Sequence, residues 1–231
     1  MDPLIRGLLQ SIQLIVSGNP ALLEIVFLSL RVTGTALVIS SLVGIPVGAA
    51  LGLSRIRARG FVTALLYTGM GLPPVVVGLF VYLMLSRSGP MGILGWLFSP
   101  YAMIVAEVII AFPLVCGLTM TAVQSVDPAL RLQARSLGAT RIQETWTVLK
   151  EARIGVVAAL VAAFGSIISE VGAVMLVGGD IEGKTRVLTT AIVLDTRTGE
   201  FELALSLGII LLTLAFIANV AMLRLQGRIR S

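Results

Sequence analysis

The sequence contains no histidine and only one cysteine, Cys116, which lies in an apolar stretch. Without histidine the chain lacks the commonest metal ligand and the commonest general base, and a single cysteine cannot form a disulfide within the chain. Charged residues are also scarce, at 13% of the 231 residues, against about 25% in soluble domains. No metal-binding cluster and no nucleophile–base pair is visible, so the sequence does not predict an enzyme.

Hydrophobic residues make up 57% of the chain, and its mean hydropathy is +1.01. A soluble core of this size needs less apolar sequence, so the excess must face lipid. The net charge of +5 comes from basic residues in short runs between apolar stretches, a pattern typical of membrane topology. Few exposed faces remain for a phosphate-binding stripe, so we do not expect nucleic-acid binding.

Five apolar stretches have about the 20 residues that a membrane-spanning helix needs. They predict an all-α integral membrane protein, with one transmembrane domain over residues 1–231. Residues 4–16 are amphipathic and predict an interfacial helix, and 21–30 extend the first span. The predicted spans are Val32–Leu53, Phe61–Leu85, Tyr101–Val123, Ile154–Val177 and Leu203–Leu223.

Basic residues divide unequally between the two sets of loops, eleven against six. By the positive-inside rule the richer set of loops is cytoplasmic. We therefore expect a protein of the cell (inner) membrane whose N-terminus is outside and whose C-terminus is in the cytoplasm. The richer set is Arg55, Arg57, Arg59, Arg131, Arg135, Arg141, Lys150, Arg153, Arg224, Arg228 and Arg230. The poorer set is Arg6, Arg31, Arg87, Lys184, Arg186 and Arg197.

The longest cytoplasmic loop, residues 124–153, has the pattern of a helix–glycine–helix element. Asp127 and Pro128 can begin its first helix as the N-cap and the first helical residue, and Gly138 interrupts it. An amphipathic helix with a glycine break can dock into a groove of a partner, although a solvated juxtamembrane helix is the simpler alternative. We expect a partly buried apolar face formed by Leu130, Leu132, Leu137, Ile142 and Trp146.

Residues Gly178 to Thr185 formally match the phosphate-binding pattern G-x-x-x-x-G-K-[ST]. That loop belongs to an α/β nucleotide-binding domain with an acidic strand that holds magnesium, and this chain has room for neither. The charge pattern also puts the loop outside, away from ATP. We therefore interpret it as a polar turn that leads to an outer hairpin.

The second predicted span contains a proline pair, Pro73 and Pro74, followed by Gly78. Prolines remove backbone donors and kink a helix, and a membrane tolerates such a break where protein or a water-filled cavity covers it. The break is either a packing kink or a bend that lines a pathway. Pro113 and Pro46 are weaker signals of the same kind.

Two acidic residues, Glu107 and Glu170, lie within predicted spans. A charge in mid-bilayer costs several kcal/mol, so both side chains should face the protein interior. A carboxylate in an anion pathway would repel its cargo, so structural roles are favoured: packing for Glu107, and a gate or packing for Glu170. In the alternative of a carrier driven by a proton or sodium gradient, both would be ion sites.

The 124–153 element resembles the hallmark loop of ABC importer permeases, in which a Glu-Ala-Ala stretch, three further residues and a glycine dock on an ATPase. Gly138 matches the glycine and Ala134 the second alanine, whereas Leu132 stands where the glutamate is usual. The resemblance implies that the docking residues are Ala134, Arg135, Leu137, Gly138 and Ala139.

The order of further motifs over about residues 25–225 is similar to that of molybdate- and tungstate-type permeases, most of all the tungstate branch. This family implies a homodimer, two separate ATPase subunits that bind ATP and magnesium, and an external oxyanion-binding protein. It also implies alternating access, with hydroxyls, backbone N–H groups and helix N-termini lining the pathway. The pathway or gate candidates are Pro73, Pro74, Gly78, Glu170, Gly172 and Ala173.

Overall fold

A computed structural model of the chain describes residues 9, 12, 13, 17, 18, 20–54 and 59–230. Most of the predicted interfacial segment 4–16, and the basic residues Arg55 and Arg57, lie outside the described residues. Throughout the described part the regular secondary structure is helical. The helices are α1 Pro20–Leu53, α2 Arg59–Met70, α3 Pro74–Leu85, α4 Pro100–Gln124, α5 Pro128–Ser136, α6 Arg141–Glu151, α7 Arg153–Ile168, α8 Gly172–Gly178, α9 Leu188–Thr198 and α10 Phe201–Arg230, with a 3-10 turn at Gly92–Leu94.

Among the described residues, three helices are long and apolar enough to cross a membrane on their own. They are α1, α4 and the Phe201–Ala221 part of α10, and they correspond to the first, third and fifth predicted spans. Two bent helix pairs, Gly60–Met70 with Pro74–Leu85 and Arg141–Glu151 with Arg153–Ile168, bring the total to as many as five by length and composition. Of the second pair, only Arg153–Ile168 overlaps a predicted span. The all-α membrane fold is therefore confirmed.

The second predicted span is broken where the proline pair lies. Helix α2 ends at Met70, and α3 begins at Pro74. Pro73 has an extended backbone, with φ −61° and ψ 121°, because a residue that precedes proline is disfavoured in the helical region. Pro74 can start α3 because the first helical residue needs no N–H donor.

The fourth predicted span, Ile154–Val177, also differs from one continuous helix. Helix α7 ends at Ile168, and α8 begins at Gly172. No proline marks this break, and the side chain of Glu170 occupies it by accepting a hydrogen bond from the N–H of Ala173 at 2.9 Å. The preceding bend between α6 and α7 is 69°.

The described chain folds into two compact units. The first comprises the described part of Met1–Ala36 with Pro73–Glu107 and Gly165–Asn219. Its core includes buried side chains of α1, α9 and α10: Leu22, Leu188, Ala191, Leu207 and Ile210. Helix α9 was not predicted, since the sequence analysis described only a polar turn at Gly178–Thr185 that leads to an outer hairpin.

The second unit comprises Leu37–Leu72, Val108–Phe164 and Val220–Ser231, as far as these are described. Within it, Gly44, Gly48 and Gly52 recur every four residues along α1 and face α4. A Cβ at Gly48 would collide with the carbonyl oxygen of Cys116. Small residues of this kind let two helix backbones approach closely in a membrane. We refer to these three glycines as the glycine seam.

Candidate functional sites

Both helices of the hairpin formed by α5 and α6 have defined caps. The Asp127 carboxylate accepts a hydrogen bond from the N–H of Ala129 at 2.8 Å, and Pro128 is the first residue of α5, as predicted. Thr140 caps α6 in a capping box with Gln143, which satisfies two otherwise free N–H groups. The sequence thus fixes where each helix begins.

Gly138 makes the turn between the two helices with a φ of +82°. This is the left-handed region, which glycine adopts without the steric cost of a Cβ. The turn is closed by the N–H of Ala139, which donates to the carbonyl of Ala134 at 3.0 Å. A Cβ built at Gly138 meets no atom within 4 Å, so the backbone conformation, and not a contact within this chain, accounts for the glycine.

The hairpin exposes large apolar side chains. Four of the five residues expected to form a partly buried face are exposed, and only Leu130 is half-buried. The exposed fractions in the set that we call the apolar patch are Leu132 66%, Leu137 87%, Ile142 82% and Trp146 61%. Of the other predicted docking residues, Ala134 and Ala139 are half-buried, and Arg135 and Gly138 are exposed. Exposed apolar side chains of this size are typical of a surface that a partner covers.

A groove of about 350 Å³ runs along α6 and shares Ile142 and Trp146 with the patch. It is lined by Arg141, Ile142, Thr145, Trp146 and Leu149. Its lining is mainly apolar, with one basic residue at its edge. The groove and the apolar patch belong to the same hairpin, so the predicted docking residues and an apolar surface occur together.

In contrast to these exposed apolar side chains, the same hairpin contains a buried charged one, the carboxylate of Glu144. Its oxygens accept hydrogen bonds from Nε of Arg131 and Nε of Arg135, both at 2.8 Å. The hydrogen bonds from Arg135 and Arg131 lower the pKa of Glu144 below its ordinary value, against the opposing effect of burial. The hydrogen bond to Glu144 correspondingly raises the pKa of Arg135.

This cluster was missed in the sequence analysis, which used Arg131 only as a topology charge and Arg135 as a topology charge and a docking residue. The spacing carried a signal: the two arginines are four residues apart and share a face of α5. Glu144 is one of two acidic residues on α6. The side chain of Arg135, a predicted docking residue, is thus engaged with its own hairpin.

The predicted pathway and gate residues divide into two groups. Gly78, Gly172 and Ala173 meet where α3 packs on α8: a Cβ at Gly78 would lie 2.6 Å from Cα of Ala173. Pro73 and Pro74 lie at the start of α3, exposed and half-buried respectively. The structure therefore brings the α3 and α8 candidates together at two broken helices.

Glu170 organises the break between α7 and α8. Besides the hydrogen bond to the N–H of Ala173, its backbone carbonyl accepts the hydroxyl of Thr189 at 2.9 Å. Its own N–H donates to the carbonyl of Ile167 at 3.1 Å. The residue thus joins the unwound segment to α9.

Glu107 is buried within α4, with 3% of its surface exposed. The hydroxyl of Thr33 donates to Oε1 at 3.4 Å, whereas Oε2 has no hydrogen-bond partner among the described residues. Ser29, Glu170 and Thr189 complete the polar lining of the small cavity beside it. Facing the protein interior is what the sequence analysis expected of this side chain.

The loop that matches the phosphate-binding pattern directs its donors inward. The N–H groups of Lys184, Thr185 and Arg186 all donate to the carbonyl of Ile181, at 2.8–3.1 Å. The hydroxyl of the buried Thr185 donates to the carbonyl of Gly178 at 2.7 Å and accepts the N–H of Ile181. A phosphate-binding loop needs these N–H groups and this hydroxyl free for its ligand, so the geometry favours a structural turn.

Ion pairs also hold the same loop. Arg186 pairs with Glu182 at 3.3 Å and with Asp180 at 3.5 Å; the second contact lacks hydrogen-bond geometry, so we regard it as electrostatic only. Burial raises the pKa of the neighbouring Asp195, and Arg186 partly offsets this effect.

Comparison with known proteins relates the chain to transport systems. The family described as "binding-protein-dependent transport system inner membrane component" matches residues 44–231. A tungstate uptake system permease protein of Peptoclostridium acidaminophilum is 37% identical over 226 residues, which cover 98% of this chain and 99% of that protein. A probable anion ABC transporter permease protein of Haloferax volcanii is 43% identical over 212 residues, covering 90% and 91%.

More distant likenesses agree. A molybdenum transport system permease protein of Escherichia coli is 31% identical over 208 residues, covering 84% of this chain and 89% of that protein. Among solved structures, an inward-facing form of the MetNI methionine ABC transporter is similar with a TM-score of 0.77 over 91% of this chain and 97% of that chain. At 20% identity, this likeness concerns the fold alone.

Proposed function

The chain belongs to the family of inner membrane components of binding-protein-dependent transport systems, and we propose that its cargo is a tetrahedral oxyanion, tungstate or molybdate. It is a multi-pass membrane permease subunit, a transport component. The observation that carries the choice of cargo is the end-to-end similarity to a tungstate uptake permease, with 98% and 99% of the two chains covered. The similarity to an anion permease at 43% identity supports the same class.

We propose that the apolar patch of the α5–α6 hairpin docks on a separate ATPase subunit, which binds ATP and magnesium. Leu137 and Ile142 are more than 80% exposed, and large apolar side chains of this kind form the buried centre of protein interfaces. The family's usual glutamate is replaced by Leu132. Apolar contact therefore contributes more to the docking here than ion pairing does.

The proposed assembly is a homodimer of this chain with two ATPase subunits inside and an oxyanion-binding protein outside. ATP closes the ATPase pair, the hairpins move with it, and the spans change from inward- to outward-facing. The breaks at Pro73–Pro74 and at Glu170 support a pathway or gate at α3 and α8, because irregular backbone at membrane depth is tolerated where it lines a cavity.

The proposed topology has the N-terminus outside and the C-terminus in the cytoplasm. Its support is the eleven-to-six division of basic residues between the two sets of loops. A cysteine introduced at Arg57 should be protected from an impermeant thiol reagent in intact cells, and one introduced at Glu182 should be labelled. The native Cys116 is buried, which gives a low background. The reverse labelling would overturn both the topology and the docking proposal.

The cargo is tested by transport in vesicles. The permease is reconstituted with the ATPase and the binding protein that purify with it, and uptake of tungstate, molybdate and sulfate is measured with ATP on the ATPase side. We expect ATP-dependent uptake of tungstate or molybdate that requires the binding protein. Uptake of sulfate alone would contradict the proposed cargo.

The same vesicles separate this function from the ion-coupled carrier that Glu107 and Glu170 suggested. A proton or sodium gradient without ATP should give no uptake. The relatives described above are permeases of ABC or binding-protein-dependent systems and give the carrier no support. Gradient-driven uptake that is lost in Glu170→Gln would restore that alternative.

A further inference from the structure

The buried carboxylate of the hairpin is held by an unusual number of donors. Glu144 accepts from Nε of Arg131, Nε of Arg135 and Nη2 of Arg135, at 2.8, 2.8 and 3.1 Å. The two arginines lie on α5 and the glutamate on α6. One carboxylate therefore fixes the two helices of the hairpin against each other.

Arg131 makes a further contact that Arg135 does not. Its Nη2 donates to the carbonyl oxygen of Leu53 at 3.2 Å, and Leu53 is the last residue of α1. The last carbonyls of a helix have no partner within it. A single guanidinium thus joins the end of a membrane-spanning helix to Glu144.

Apolar packing lies one helical turn away from this contact. Val148, four residues after Glu144 on α6, is buried with Ala49 of α1, Val123 of α4 and Ala152. Residues four apart share a helix face. On this face of α6, Glu144 reaches α1 through Arg131, and Val148 packs directly with residues of α1 and α4. The hairpin is therefore attached to the ends of α1 and α4 and is not a free cytoplasmic loop.

We propose that Arg131 and Glu144 form a strut that passes the movement of the docked hairpin to the end of α1. This inference rests on the proposed docking of the hairpin on an ATPase. Glu144 holds the guanidinium, and the guanidinium holds the carbonyl of Leu53. Both residues are positioning residues, since neither needs to touch the cargo or the nucleotide.

The strut requires the planar guanidinium of arginine, whose several N–H donors can bind two acceptors in fixed directions. A lysine at the same position supplies one compact charge, which can pair with Glu144 but cannot also bind the carbonyl with fixed geometry. Arg131→Lys therefore keeps the charge of the hairpin and removes the link to α1. Arg135→Lys keeps both the charge and the link to α1, and serves as the matched comparison. Because Arg135 is also a candidate docking residue, stimulation is compared per ATPase subunit recovered with each variant, which separates weaker docking from weaker transmission.

The test uses the assembled complex in lipid vesicles. Three quantities are compared among the wild type, Arg131→Lys and Arg135→Lys: the ATPase recovered with the permease, the thermal midpoint of the complex, and the increase in ATP hydrolysis caused by the loaded binding protein. We expect all three complexes to assemble with similar midpoints. The stimulated increase should fall roughly tenfold in Arg131→Lys, the size of one lost charge-assisted hydrogen bond, and much less in Arg135→Lys.

Equal losses of stimulation in the two variants would overturn the strut, because the changed hydrogen bonding to Glu144, which both variants share, would then explain both without the link to α1. No loss in Arg131→Lys would overturn it as well. Failure of the docking proposal gives a different result. If the hairpin does not dock on the ATPase, Ile142→Glu leaves ATPase binding and stimulated hydrolysis unchanged, whatever the effect of Arg131→Lys. Glu144→Gln adds a second check, since it should reduce stimulation as Arg131→Lys does while the complex still assembles.

Discussion

Replacing Gly138 separates two properties that the wild-type residue combines, its left-handed backbone and its lack of a side chain. Its φ of +82° lies in a region that costs an ordinary L-residue about 1–2 kcal/mol. Asparagine is among the residues that adopt this region most readily. Within the chain a Cβ at Gly138 meets no atom within 4 Å, so the methyl group of alanine does not collide with the permease itself, and an asparagine side chain begins in open space.

The two substitutions therefore predict opposite orders for ATPase binding. If only the turn matters, Gly138→Ala weakens binding about fivefold for each kcal/mol of strain, and Gly138→Asn weakens it less. If an ATPase surface packs against the glycine, the larger side chain of Gly138→Asn adds an overpacking cost of about 1–3 kcal/mol. We expect the second order, with Gly138→Asn binding more weakly than Gly138→Ala.

The measurement is the affinity of the detergent-solubilised permease for its ATPase, with the thermal midpoint of the permease alone as a control for folding. Gly138→Trp extends the series and should abolish binding while the permease still inserts and dimerises. An affinity for Gly138→Asn equal to or above that of Gly138→Ala would refute a close approach at this residue. Normal assembly and normal stimulated hydrolysis by Gly138→Trp would refute docking of the hairpin altogether.

Three further outcomes are expected. Gly78→Ala should lower the free energy of unfolding by about 1–2 kcal/mol, because its Cβ would lie 2.6 Å from a backbone atom of α8. Gly208→Ala, whose Cβ meets no atom within 4 Å, should be neutral or stabilising. Equal effects of the two substitutions on thermal unfolding would contradict the tight α3–α8 contact. Lys184→Ala should leave ATP hydrolysis by the complex largely intact, and the permease alone should not bind ATP. Saturable ATP binding by the permease that is lost in this variant would contradict the interpretation of Gly178–Thr185 as a structural turn. Because the pKa of Glu144 is lowered in the folded state, its contribution to stability is complete above its ordinary pKa of about 4.3 and is lost as the pH falls through the lowered value. The stability difference between the wild type and Glu144→Gln should therefore shrink below about pH 4, and a difference that grows on acidification would contradict the ion pairs.

Apolar length and turn chemistry were sufficient to predict much of the fold. Helices α1, α4 and α10 each contain a long apolar run, and the break before Pro74 follows from the chemistry of proline. Asp127 with Pro128, and the left-handed Gly138, predicted both ends of α5 because these signals are local. Where one residue imposes the backbone geometry, the sequence is a reliable guide.

The break around Glu170 and the helix α9 could not be predicted in this way, since their causes are contacts between distant segments. Glu170 holds the break through Thr189 of α9. The first N–H of α9, at Leu188, donates to the hydroxyl of Ser29 on α1 at 2.9 Å. Helix α9 is short and mixes polar with apolar residues, and its Leu188 and Ala191 pack with buried residues of α1 and α10.

The helix–glycine–helix hairpin was predicted in its position but not in the environment of its apolar side chains, and docking on it stays a prediction. The docking residues were identified from the hallmark loop, whereas the burial expected for Leu132 and Ile142 is not found. A helical apolar pattern specifies that a face will be covered, but not whether this chain or a partner covers it. Glu144 was overlooked because a single charge between polar neighbours carries no periodic signal.

The glycine seam has a consequence for how this sequence can change over evolutionary time. Because Gly48 leaves no room for a methyl group beside the backbone of Cys116, enlarging that position requires the facing helix to move, which would also disturb Gly44 and Gly52. Substitutions along the seam should therefore be inherited together, each enlargement on α1 matched by a reduction or a shift on α4. In an alignment of related permeases these positions should covary as a group. The sides of α1 and α4 that face each other should change more slowly than the lipid-facing sides of the two helices.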